Sequence, residues 1–406
     1  MNNRYTGKKQ SLLAMLSIFL FLSGCASTGG YSVGPGSSSI TVKQNTNLSD
    51  RPAVPLSIII PTFDPNIPDN PDQYKKKSVW PELRRAEANR FAVQLRDSLN
   101  QTQTFGAVRV TPDKTATAHL YVNAKILTSN GEDIKIGIDV IDISGKRLLK
   151  KNYKHRVTEY ELEDPRTVGK DPYQKVFDLA AADIAKASLK LSPKKVAALD
   201  AIEELRFAES FSPDYFTSYI QTSRTGKTKL VSLPAQDDEM FNRVKALRIK
   251  DQMFVDNMQN DYNDFRNNMN EDYLLWQKQA FTESKAAREA ASAATAKMFV
   301  GILAVAAGAA MANSDPYGSG AYGGTAVAAA GIATIASGVQ DSKEATAHRE
   351  SLSEMGRSLN IQLAPQVMEM EDRTVELNGD AAQQYTAWRA FLRDVYEMEK
   401  TPELEL

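Results

Sequence analysis

The chain has one cysteine and three histidines in 406 residues, and neither charge is in excess. A single cysteine excludes intramolecular disulfides and cysteine-rich metal centres. His119, His155 and His348 show no ligand spacing, and the alternation described below turns His119 toward solvent. With 49 Lys and Arg against 50 Asp and Glu, no field of one sign points to nucleic acid. No apolar run reaches the roughly 20 residues that a membrane-crossing helix needs. Neither HExxH, nor a nucleophile elbow, nor a glycine-rich loop opening a helix occurs, so catalysis and nucleotide binding have no motif behind them and no cofactor is expected. The loop holding Asp64, Asn66, Asp69 and Asp72 lacks the central glycine of a calcium loop and has Lys75 where the closing glutamate belongs.

The amino terminus is rich in signals. Arg4, Lys8 and Lys9 precede the apolar run LLAMLSIFLFL (12–22), which has the length of a signal-peptide core. Leu22-Ser23-Gly24-Cys25 follows, and it resembles the lipobox of bacterial lipoproteins. That resemblance implies diacylglycerol on the Cys25 thiol, cleavage before it, and acylation of the new amino terminus. Ala26, rather than Asp, resembles the pattern exported to the outer membrane in enterobacteria. Removing residues 1–24 takes away three basic residues and leaves 46 against 50 acidic. Several acyl chains would hold the protein durably to a membrane, and a Gly-, Ser- and Thr-rich stretch over 25–52 reads as a lipidated flexible tether.

The fold class expected is α+β: a small mixed or antiparallel sheet domain with two main helices, then a mostly helical region. The first domain spans 53–192. VPLSIII (54–60) reads as a buried strand, and apolar residues at helical spacing from Pro81 to Asn100 read as a helix. GAVRV (106–110) is a strand candidate. Next, Ala118, Leu120, Val122, Ala124 and Ile126 alternate with His119, Tyr121, Asn123 and Lys125. Asn130-Gly131 supplies the two positive-φ residues of a tight hairpin, and Ile134, Ile136, Ile138 and Val140 line the return strand. Ser144-Gly145 turns the chain into a third strand crowded with Lys146, Arg147, Lys150, Lys151, Lys154 and Arg156. Those cations suit lipid head groups or an acidic partner, and equally the guarding of a sheet edge, which is the reading favoured. A helix from Asp171 to Leu191 closes the domain.

The order β-α-β-β-β-β-α on a lipoprotein resembles the amino-terminal domain of the TolB translocation protein and related domains of the curli secretion lipoprotein CsgG and of penicillin-binding-protein activator lipoproteins. WPELRRAEANRFAVQLRDSL with FGAVRV resembles a family of uncharacterised proteobacterial lipoproteins.

Beyond residue 192 the chain reads as a helical connector (193–235) with two short helices separated by FSPDY. A long amphipathic helix (236–297) follows, with no Gly or Pro from Asp237 to Lys297. Its stripe of Phe254, Met258, Tyr262, Phe265, Met269, Tyr273, Trp276 and Ala280 has a period near 3.67 and asks for a partner. Return helices over 340–398, ahead of a tail at 399–406, would supply it. Between them lie the arms MFVGILAVAAGAAMA (298–312) and TAVAAAGIATIASGV (325–339). Gly301 and Gly308, then Gly324, Gly331 and Gly338, recur every seven residues, and small residues every fourth let helices approach closely. This 298–339 hairpin resembles the glycine-zipper segments of outer-membrane lipoproteins. Membrane insertion, self-association and internal packing all remain open for it. The expected function is that of an outer-membrane lipoprotein facing the periplasm, not an enzyme, that binds or scaffolds an envelope partner. An oligomeric pore or export component is the alternative, and an envelope hydrolase is disfavoured.

Overall fold

The computed structural model describes residues 55–77, 79–164, 166–167, 169–312, 365–370 and 373–399. All of them belong to one compact unit. The α+β class is borne out. A five-stranded mixed sheet is built from β1 (Ser57–Pro61), β2 (Ala107–Thr111), β3 (Leu120–Ser129), β4 (Asp133–Asp142) and β5 (Arg147–Arg156), in the order β2-β1-β3-β4-β5. β1 runs parallel to both β2 and β3, while β3, β4 and β5 form an antiparallel meander.

Alternation explains the sheet. Leu120, Val122, Ala124 and Ile126 of β3 and Ile134, Ile136, Ile138 and Val140 of β4 are all buried. They face two helices, α2 (Pro81–Gln101), preceded by the short α1 (Asp72–Lys77), and α4 (Gln174–Ser188), preceded by the short α3 (Glu159–Glu163). Phe91 of α2 is the hub of this core. Its ring centroid lies 6.4 Å from Phe63, 6.2 Å from Tyr173, 5.2 Å from Phe177 and 6.5 Å from Tyr273. Three of the four are edge-to-face and that with Phe177 is tilted; such aromatic contacts add modestly to the area they bury.

One turn departs from expectation. The β3–β4 connection is three residues long, and only Gly131 has positive φ, at +88°. Asn130 instead uses its side chain: its Oδ1 accepts from the backbone N–H of Glu132 (3.1 Å) and of Asp133 (2.7 Å), an Asx turn that removes the need for a second left-handed residue. The turn at Ser144-Gly145 is as expected, with Gly145 at φ +80°.

The connector holds α5 (Pro193–Glu209), a one-turn α6 (Pro213–Phe216) and, unexpectedly, a small hairpin of β6 (Ile220–Thr222) and β7 (Thr228–Leu230). Ser192 caps α5 by accepting from Lys195 N, and Pro193 occupies its first turn. Then α7 runs unbroken from Glu239 to Ala312, 74 residues, or about 110 Å at the usual rise. The first apolar arm is therefore the carboxy-terminal continuation of the long helix. A second correction concerns 366–377, expected within the return helices. It forms a hairpin of β8 (Gln366–Met370) and β9 (Arg373–Leu377), and among the described residues of 340–398 the helix is α8 (Ala381–Glu399). The alternating β-formers of RTVEL outweigh the helical period read on either side.

Candidate functional site

α7 is seated on the α+β body by its buried stripe, and each stretch of it meets a different element. Near its start, Phe254 stacks on Tyr385 (6.2 Å) and Trp388 (5.2 Å) of α8. Beside them Asp251 takes hydrogen bonds or ion pairs from Tyr385 Oη (3.2 Å) and Arg389 (3.4 Å). Further along, the stripe turns to the sheet edge and α2 rather than to the carboxy-terminal segment. Gln259 reaches β2: Val110 N–H donates to Gln259 Oε1 (2.8 Å), and Gln259 Nε2 donates to Val110 O (2.9 Å). One side-chain amide thus replaces the missing neighbour of an edge strand. Arg109 adds a two-pronged pair with Asp256 at 2.6 and 2.8 Å.

Beyond this lies a buried polar network between α2 and α7. Glu87 is fully buried, accepts from Tyr273 Oη (2.9 Å) and from Ser129 Oγ, and faces Arg84 at 3.3 Å. Burial pushes its carboxyl up, although Arg84, Ser129 and Tyr273 oppose the shift. Arg90, with 2% exposure, donates to Asp171 (3.0 Å) and Asn270 (2.8 Å) and lies 4.4 Å over the Tyr273 ring. This network explains why α2 is buried on its polar side as well as its apolar one.

The second polar cluster joins four elements at the other end of the sheet. Ser57 opens β1, His119 immediately precedes β3, Asp200 and Glu203 lie one turn apart on α5, and Arg248 lies on α7. The i, i+3 spacing puts both carboxylates on one helix face. His119 Nδ1 accepts the Ser57 N–H (3.0 Å) and lies 2.7 Å from Ser57 Oγ and 2.9 Å from Glu203 Oε2. Its Nε2 is buried and faces Asp200 Oδ1 at 3.4 Å. Arg248 donates to the other oxygen of Glu203 at 2.7 Å.

The expectation that His119 faces solvent is therefore wrong: it is 3% exposed. The alternation places it opposite Leu120 correctly, but α5 occupies that side of the sheet here. No local signal in the sequence reports a helix arriving 80 residues later.

Burial disfavours the charged imidazole. Hydrogen bonds and charge from Asp200 and Glu203 outweigh it and hold His119 at about 9, above its ordinary 6.5. Burial also raises Glu203, but the imidazole and the Arg248 guanidinium prevail and keep its carboxyl low. Ser57, His119 and Glu203 resemble a nucleophilic triad in composition but not in geometry. Both partners lie on Nδ1, whereas a relay places the hydroxyl and the carboxylate on opposite ring nitrogens. His119, Asp200 and Glu203 each offer one ligand atom, and these lie within 4.8 Å of one another, the one histidine and carboxylate cluster of metal-binding size among the described residues.

Of the residues singled out in the sequence, Cys25, Gly324, Gly331, Gly338 and His348 lie outside the described residues. Gly301 and Gly308 lie on the distal part of α7. In the acidic loop, Asp64 pairs with Lys125 at 3.0 Å and accepts from Asn66 N at 2.8 Å, so it closes a turn. The cation-rich strand is β5, the last of the sheet, as an edge guard requires. Three of its five lysines and arginines already hold carboxylates: Arg147 with Asp139, Lys151 with Asp183 and Arg156 with Asp133. His155 lies 3.2 Å from Glu161. Compared with protein-family models, with curated proteins and with solved structures, the chain matches none.

Proposed function

We propose that the chain is a lipid-anchored outer-membrane protein facing the periplasm, which acts by binding or scaffolding an envelope partner. The observation that carries this reading is Leu22-Ser23-Gly24-Cys25 directly after a charged and then apolar leader. Acylation at Cys25 supplies membrane residence by itself. Among the described residues no helix is long and apolar enough to cross a membrane.

The architecture supports a positioning role. α7 is held on the body by, among others, Ser284, which donates to Asn130 O (2.8 Å), and Arg288, paired with Glu132 at 2.8 Å. It then continues for 24 residues to Ala312, about 36 Å of helix at the usual rise. A rod fixed at one end and apolar at the other suits the delivery of the 298–339 segment, with Gly301 and Gly308 at its start, to lipid, to an envelope protein or to a second copy.

Palmitate labelling in a lipoprotein-processing bacterium tests the anchor. Label is expected on the wild type and lost from Cys25→Ala; equal labelling would remove the claim. Crosslinking in native membranes tests the mode of action. A heterologous adduct lost on deletion of 298–339 supports scaffolding, and a ring of fixed stoichiometry replaces it with the pore.

A further inference from the structure

We propose that β5, the turn before it and the tip of the β6–β7 hairpin form a basic surface that docks on anionic phospholipid head groups. Two segments far apart in sequence build it. Thr228 N–H donates to Ser144 O at 3.0 Å, and a Cβ on Gly145 would lie only 2.6 Å from Gly226 O. The hairpin tip is thereby laid against the β4–β5 turn, where its exposed Arg224, Lys227 and Lys229 join the exposed Lys146. Lys150 and Lys154 continue the row along β5. From Lys146 to Lys154 the chain advances about 26 Å at the usual strand rise.

Edge guarding accounts for part of this belt and not for the rest. Lys135 lies on the inner strand β4, directly opposite Lys154, and like charges so placed repel. Arg224 and Lys227 lie in the hairpin turn, not on a strand. Among the described residues Lys135, Lys146, Lys150 and Lys154 hold no carboxylate, whereas Arg147, Lys151 and Arg156 do. Cations gathered by the fold and left without carboxylates of their own call for anions from outside.

A lipid surface fits better than an acidic protein strand. Val231 and Leu233, each 61% exposed, follow Lys229 directly, and an added strand along β5 would leave them bare. Cations beside exposed apolar side chains are the pairing that interfacial binding uses, the first meeting head groups and the second the acyl boundary. The inference rests on the proposed anchor in one respect: the tether keeps the body within roughly 30 Å of a bilayer. Without its leader the chain carries 46 basic against 50 acidic residues, so the remaining surface is repelled and the belt sets which way the body faces.

The test separates docking from anchoring. The leaderless chain, residues 25–406 with Cys25→Ala, keeps every described residue and carries no lipid. It is floated with vesicles of phosphatidylglycerol and phosphatidylethanolamine, and with vesicles of phosphatidylcholine alone. Flotation with the anionic vesicles only is expected, falling at least tenfold between about 0.1 and 0.5 M NaCl. Lys150→Gln/Lys154→Gln, and separately Arg224→Gln/Lys227→Gln/Lys229→Gln, should each weaken partitioning at least tenfold, since one cation near such a surface contributes a factor of about five. Lys250→Gln/Lys278→Gln, on α7, should leave it unchanged. All the substituted side chains are exposed, so each variant keeps the core intact. No flotation with anionic vesicles, equal flotation with phosphatidylcholine, or undiminished flotation of either belt variant overturns the proposal. None of these results touches the acyl anchor, which labelling of Cys25 tests separately.

Discussion

Gly131 and Gly226 both adopt left-handed backbone, with φ +88° and +77°, yet they stand in different surroundings. A Cβ on Gly131 would lie 2.6 Å from both Ala280 Cβ and Phe281 N of α7, while one on Gly226 would meet nothing within 4 Å. Gly131→Ala therefore combines backbone strain with loss of helix seating, and an unfolding stability lower by about 2–4 kcal/mol is expected in urea titration. Gly226→Ala should cost only about 1 kcal/mol. Glu161 offers a pH probe at the same scale. Burial raises its carboxyl, but hydrogen bonds from His155, Lys175 and Thr158 prevail and lower it from 4.5 to about 2. A carboxyl lowered by folding contributes stability above pH 4.5, which is lost as the pH falls through about 2. Glu161→Gln should therefore reduce stability at pH 7 by about 1 kcal/mol, allowing for solvent screening, and the gap from wild type should shrink toward pH 3. Parallel thermal melts at the two pH values check this.

Among elements, the contact of α7 with β2 shows what a helix can do for a sheet. The sheet has two edges, and they are managed differently. Lysines and arginines crowd β5, while β2 is covered by α7, whose Gln259 satisfies both backbone groups of Val110. Gln259→Leu keeps the volume but leaves a backbone N–H and C=O unpaired beneath the helix. A loss of about 1–3 kcal/mol and faster hydrogen exchange at the Val110 amide are expected; unchanged exchange there would deny the capping role. The limits of reading elements from sequence are also physical. Alternation in β3 and β4, the apolar spacing of α2 and the period of α7 are local and were legible. The β6–β7 and β8–β9 hairpins were not, because their strands have three to five residues, too few for a period to stand out. Nor was the burial of Arg84, Glu87 and Arg90, since their sequence pattern is that of a solvated helix face.

At the scale of the whole molecule, one hydrophobic core runs from Leu56 through Phe281 to Tyr396, so the sheet, α5, the first half of α7 and α8 are packed together. Residues from Phe241 to Arg288 seat α7 on the body. Deleting 298–339 with a short flexible replacement should accordingly leave the melting temperature of the body within about 3 °C of wild type, while membrane or partner association changes. A fall of more than about 8 °C by calorimetry would mean that the arms belong to the core. The sequence by itself determined the α+β class, the helix and strand order of the first domain and the start of the long helix, because periodicity is written in neighbouring residues. Tertiary structure alone decided which faces meet: that α7 lies on α2 and the β2 edge, and that α5 turns His119 from an apparent surface residue into the centre of a buried cluster with Asp200 and Glu203. Such pairings join residues some 80 to 190 positions apart, and no local pattern encodes them.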